Sequence, residues 1–182
     1  MTRAHEPSEA SRPAGPFSVE PIGWVRSPYE RRFGTPQQAA AVDAAAVEAV
    51  LELDATRIPS EALTDLVGID RIWVLSWLHR GGNWSTRVRP PRGTREPRAL
   101  FATRSPDRPN PIGLSAVALV RVEGSNLFVR GIDLLDGTPI LDVKPYVPYA
   151  DAFPTARAGW IDAIPRDAPQ IARRPSRREP GP

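Results

Sequence analysis

The apolar residues of this chain recur in short runs cut off by glycine and proline, and that pattern narrows its possible folds more than any other feature. Proline lacks a backbone N–H and breaks helix interiors, so 22 prolines spread over 182 residues leave little room for long helices. The runs predict strands at 19–25, 47–53, 69–78, 98–103, 114–122, 127–134 and 140–143. One short helix is predicted over 60–67, with Ser60 as its N-cap and Gly68 ending it. Segment 69–78 is nearly continuous in bulky residues, which reads as a central strand buried on much of both faces, with Trp73 and Trp77 packed into the core. Many strands without alternating helices give a mainly β fold, either a barrel or a sandwich. One domain is expected at 17–162, between disordered segments at 1–16 and 163–182 that are rich in Pro, Ser, Arg and Glu.

Composition removes several kinds of chemistry. The chain has no cysteine, so disulfides, thiolate metal sites and cysteine nucleophiles are excluded. His5 and His79 are the only histidines, which argues against a zinc enzyme and leads to the expectation of no metal. The N-terminal residues lack the apolar run of a signal peptide and no segment has the length of a membrane span, so a cytoplasmic protein without membrane contact is expected. There is neither a G-x-G-x-x-G fingerprint nor a P-loop to support a Rossmann methyltransferase or a nucleoside triphosphatase.

A formal charge of +3 is compatible with a nucleic-acid partner, since clustered cations release counterions from phosphates. With Lys144 as the only lysine in an Ala-, Pro- and Arg-rich chain, biased codon usage is an equal explanation. The distribution is more telling: 84–108 holds seven arginines against Glu96 and Asp107.

Two segments carry the chemical signal. Ala102-Thr-Arg-Ser-Pro-Asp-Arg-Pro-Asn-Pro-Ile-Gly113 contains three prolines that stiffen a loop, which is either a plain surface connection or a holder for Arg104, Arg108 and Asn110. In Gly131-Ile-Asp-Leu-Leu-Asp-Gly-Thr-Pro-Ile-Leu-Asp-Val-Lys-Pro-Tyr146, Asp136-Gly137 between apolar runs predicts a hairpin. Asp133, Asp142 and Lys144 then face solvent or line a polar site. His79 at a strand end reads equally as a structural residue, and Trp84 is a possible base-stacking residue.

In order along the chain, Pro21-Ile-Gly-Trp-Val-Arg-Ser-Pro-Tyr29, Val88-Arg-Pro-Pro-Arg92, Phe101-Ala-Thr-Arg-Ser-Pro106, Arg108-Pro-Asn-Pro-Ile-Gly113, Asp133-Leu-Leu-Asp-Gly-Thr-Pro139 and Asp142-Val-Lys-Pro-Tyr146 resemble the TsaA-like, or TrmO, family. These are tRNA methyltransferases acting on threonylcarbamoyl-adenosine beside the anticodon. The resemblance implies a small antiparallel β-barrel that binds S-adenosylmethionine, usually as a homodimer with its site near the subunit interface. By motif position it implies cofactor contacts at Gln38, Ala39, Ala40, His79, Arg80, Arg104, Leu114, Arg130, Gly131, Ile132 and Asp133. The tRNA side is expected at Arg108, Asn110, Asp136, Lys144 and Tyr146. Asp133 suits the ribose hydroxyls, Arg104 an anionic group, and Leu114 with Ile132 the adenine faces.

Three stretches depart from the family pattern. Gln38-Ala39-Ala40 stands where relatives commonly read Gln-Pro-Gly, Ile69-Asp70-Arg71-Ile72-Trp73 where they read Phe-Ser-His-Leu-Trp, and Gly93-Thr94-Arg95-Glu96 where they read Leu-Gly-Gly. Many relatives carry a second small C-terminal domain, whereas this chain ends in an arginine-rich stretch. A methyl acceptor with a carbamoylated nitrogen is a weak nucleophile and benefits from a proton acceptor, for which Asp136, Asp142 and His79 are unranked candidates. Two other readings remain at this point: a methyltransferase of the same fold with a small-metabolite acceptor, and a non-catalytic RNA-binding barrel.

Overall fold

The computed structural model describes residues 15–31, 47–93 and 96–165. Its strands are β1 (Gly23–Arg26), β2 (Glu48–Leu53), β3 (Arg71–Trp77), β4 (Arg87–Val88), β5 (Arg98–Ala99), β6 (Ile112–Glu123), β7 (Asn126–Arg130) and β8 (Pro139–Pro145), followed by one helical turn, α1 (Pro148–Asp151). Six of them close an antiparallel barrel in the order β1-β2-β7-β6-β3-β8, while β4 and β5 pair separately. Closure removes the exposed edges of an open sheet.

Alternation decides which side chains fill the barrel. Val25, Leu51, Ile72, Val74, Val117, Leu127, Val129 and Ile140 are fully buried and point inward, each worth about 1.5–3 kcal/mol of burial. β3 follows the same period-two rule, so the expected burial on both faces gives way to an inward row of Ile72, Val74 and Ser76 and a partly exposed outer row. Neither Trp73 nor Trp77 is a core residue. Trp77 is 39% exposed, and Trp73 Nε1 donates to Asp151 Oδ2 at 2.9 Å.

Other expectations shift for local reasons. β1 starts only at Gly23, because Pro21 has no N–H for a ladder. β5 stops after two residues, where Leu100, 2% exposed, draws the chain into the 3-10 turn Leu100–Ala102. β7 ends at Arg130, since Gly131 at φ 78° turns the chain so that Ile132 and Leu134 enter the core. The predicted helix is the 3-10 helix Ser60–Leu66, capped by Pro59 without a side-chain bond, so Ser60 is not its N-cap. Leu63 is its buried anchor, and Gly68 at φ 89° follows its end.

Asp136-Gly137 is a turn with Gly137 at φ 69°, but it joins no hairpin, because β7 and β8 are not neighbours. The two-residue hairpin is instead Gly124-Ser125 between β6 and β7, where Glu123 faces Asn126. Gly124 at φ 57° supplies the left-handed first position of that turn.

Candidate functional site

Strand direction alone gathers most of the predicted site at one end of the barrel. β1 and β3 are both antiparallel to β8, and β7 is antiparallel to β2, itself antiparallel to β1. The C-terminal ends of β1, β3 and β7 therefore share one rim with the N-terminal ends of β2, β6 and β8. The segments leaving or entering that rim carry His79, Arg80, Arg104, Arg108, Asn110, Asp133 and Asp136.

Segment 131–138 crosses this end like a stopper. Gly131, Ile132, Leu134 and Thr138 are buried, and the partly exposed Asp133 between them accepts a hydrogen bond from Ser115 Oγ at 2.5 Å. Ser27 fixes the same segment by donating its hydroxyl to Leu134 O at 2.8 Å and its backbone N–H to Asp136 Oδ1 at 3.1 Å. Asp136 N–H and Gly137 N–H return bonds to Tyr29 O and Val25 O, both at 2.8 Å. Asp133 is thus a carboxylate on a fastened backbone, whereas Asp136 spends an oxygen on the fold.

The other half of the rim is built by 78–82 against 103–111. Leu78 N–H donates to Pro111 O at 2.7 Å, Gly82 N–H to Asp107 Oδ1 at 2.7 Å, and Arg108 Nη1 to Thr103 O at 3.0 Å. Arg80 Nη1 reaches Glu30 O at 2.9 Å, tying β3's exit to β1's exit. Arg104 is exposed and makes no ion pair among the described residues, which leaves it available to an anion. Partial burial, and secondarily the nearby Arg80 guanidinium, hold the His79 imidazole below its ordinary pKa, so it is neutral at pH 7.

Several predicted residues sit elsewhere. Ile132 is fully buried in the barrel, so it offers no surface to an adenine and instead anchors Asp133. Leu114, 56% exposed, lies on the outer face of β6 beside Ile112 and Trp77, at 46% and 39% exposure. Arg130 points outward to Glu48, 3.5 Å away, within a cluster that includes Arg121. Lys144 and Tyr146 lie toward the opposite end, where Lys144 faces Trp73 across the ladder and bonds Asp142 at 2.7 Å. The Tyr146 ring is 5.4 Å from that of Trp73. Gln38, Ala39 and Ala40 lie outside the described residues.

Sequence reading missed Ser115 and Ser27. The signal for Ser115 was present, as a polar residue in register with inward Gly113 and Val117 on an otherwise apolar row.

The profile described as the tRNA-methyltransferase O N-terminal domain matches residues 24–152. The chain belongs to this family. The tRNA (adenine(37)-N6)-methyltransferase of Escherichia coli K12 is 40% identical over 156 residues, covering 82% of this chain and 66% of that protein. The human protein of the same name is 34% identical over 140 residues, covering 76% of this chain and 32% of its own. A crystal structure of TrmO superposes with a TM-score of 0.68 at 43% identity, over 80% of this chain and 64% of the other. The TrmO structure from Pseudomonas aeruginosa gives 0.69 at 42% identity, over 83% and 65%. The chain spans under two thirds of the length of the curated relatives it matches first. Among the described residues no helix is long and apolar enough to cross a membrane, and no cluster of His, Cys, Asp and Glu has metal-site geometry.

Proposed function

We propose that this protein transfers the methyl group of S-adenosylmethionine to the N6 nitrogen of threonylcarbamoyl-adenosine beside the anticodon of tRNA, as a cytoplasmic homodimer. The observation that carries this reading is the convergence of Asp133, Arg104, Arg80 and His79 on one rim of a barrel whose family is that of tRNA-methyltransferase O. The residues fit the cofactor's chemistry. Asp133, held by Ser115, can accept both ribose hydroxyls, and Arg104, without an ion pair among the described residues, can take the amino-acid carboxylate. S-adenosylmethionine supplies an activated methyl group on a sulfonium.

The protein's share is positioning the acceptor nitrogen in line at about 3–3.5 Å. As the nitrogen–methyl bond forms and the C–S pair leaves with sulfur, the acceptor nitrogen must shed its proton. The neutral His79 imidazole suits that role better than Asp136, which fastens Ser27, or Asp142, which pairs with Lys144. Dimerisation is supported by the outer face of β3 and β6, where Trp77, Ile112 and Leu114 expose contiguous apolar surface beside the site.

Calorimetry tests the cofactor step: micromolar binding, roughly −8 kcal/mol, is expected. No heat and no thermal shift at excess cofactor would defeat it. Mass spectrometry of tRNA nucleosides from a deletion strain tests the acceptor. A second reading, a small-metabolite acceptor, is favoured by the departures from the family pattern at Gln38-Ala39-Ala40, Ile69-Asp70-Arg71-Ile72-Trp73 and Gly93-Thr94-Arg95-Glu96. It prevails if cofactor binds but no tRNA nucleoside changes.

A further inference from the structure

Phe101 is 77% exposed although both its neighbours are fixed. Leu100 is buried, Thr103 N–H and Oγ1 both donate to Leu100 O at 3.0 and 2.7 Å, and Trp160 Nε1 donates to Ala102 O at 3.0 Å. The ring is therefore presented to water by a rigid turn. An aromatic side chain that only lacked room in the core would not need such support.

Its surroundings are cationic. The Arg108 guanidinium lies 5.2 Å from the Phe101 centroid and is itself held by Thr103 O, and Arg98 sits 5.2 Å from the Trp160 centroid. Leu100 N–H donates to Thr86 O, which brings the turn beside the segment of Trp84, 52% exposed, and the exposed Arg87 and Arg89. Arginines interleaved with flat rings match a ligand that is both π-faced and anionic.

We propose that Phe101, with Arg108 against its ring, is a stacking platform for an unpaired base of a single-stranded RNA loop, next to the nucleotide that receives the methyl group. Loop 103–111 links the platform directly to the rim, through Asp107 to Gly82 and Pro111 to Leu78. A base within a duplex has both faces covered by its neighbours, so the platform selects unpaired residues rather than a sequence. This inference rests on the tRNA reading above.

The test uses the full chain and an anticodon stem–loop RNA with 2-aminopurine beside the acceptor adenosine. Wild type is expected to change the probe's fluorescence on binding. Phe101→Ala should bind about tenfold more weakly, Phe101→Trp should restore affinity and Phe101→Leu should not. Because no charge is removed, Phe101→Ala should keep the wild-type salt slope, whereas Arg108→Ala should lower it by about one unit. Melting temperature and cofactor affinity of Phe101→Ala should stay at wild-type values. If Phe101→Ala binds the stem–loop as wild type does, or if Leu serves as well as Trp, the platform is overturned while the tRNA reading stands. If wild type itself does not bind the stem–loop, both fall together.

Discussion

At the scale of the residue, the pair Ser115–Asp133 is the most exposed to test. The Ser115 hydroxyl, buried at 4% exposure, donates to one Asp133 oxygen at 2.5 Å and so orients the carboxylate. Ser115→Ala is expected to weaken S-adenosylmethionine binding by about 1 kcal/mol, and Asp133→Ala by about 1–3 kcal/mol. Calorimetry on the double variant should give less than the sum, because the two act as one unit; full additivity would separate Ser115 from the site. His79 offers a second test. Its folded pKa is depressed, so the unfolded chain binds its proton more readily. The contribution to stability is whole above the ordinary value of 6.5 and declines as pH falls from there through the folded pKa. An NMR titration of the two histidines should place His79 below 6.5, and a value at or above that would contradict the neutral imidazole assigned to it.

At the scale of the element, β3 and β6 meet more tightly at Ser76 and Gly113 than side chains usually allow. A Cβ on Gly113 would collide with Ser76 Oγ and press on Leu78. Gly113→Ala is therefore expected to cost about 1–3 kcal/mol of stability through overpacking, read as a lower melting temperature. Ser76 Oγ is itself buried without a hydrogen-bond partner among the described residues. Ser76→Ala should be neutral or stabilising by about 1 kcal/mol and should soften the Gly113→Ala defect. A clear loss of stability in Ser76→Ala would mean that its hydroxyl has a partner after all. The fastening of segment 131–138 by Ser27 belongs to the same scale, since it makes the rim depend on β1 as well as on β6.

At the scale of the whole molecule, the proposed dimer would couple assembly to binding through the outer face of β3 and β6. Ile112 and Trp77 pair in register there, with Leu114 on the same face. Ile112→Asp should shift a dimer toward monomer in light scattering and weaken cofactor binding along with it. If the wild type is monomeric at micromolar concentration yet binds cofactor, dimerisation is not part of the site.

The sequence by itself determined the strand-forming character of the chain, the absence of cysteine chemistry and the segments that carry the candidate site, because these depend on local pattern and residue type. It placed 47–53, 114–122 and 140–143 close to β2, β6 and β8 for that reason. What only the tertiary structure decided is which of those residues meet. Closure in the order β1-β2-β7-β6-β3-β8 makes β7 and β8 strangers, so Asp136-Gly137 forms a fastening turn rather than a hairpin. The same closure puts Lys144 and Tyr146 at the far end from Asp133, although all three lie within one short stretch of chain. The segment that crosses the barrel end delivers Ile132 to the core, while the outward row of β6 leaves Leu114 outside, a choice set by burial against partners distant in sequence and therefore invisible in the spacing of either residue.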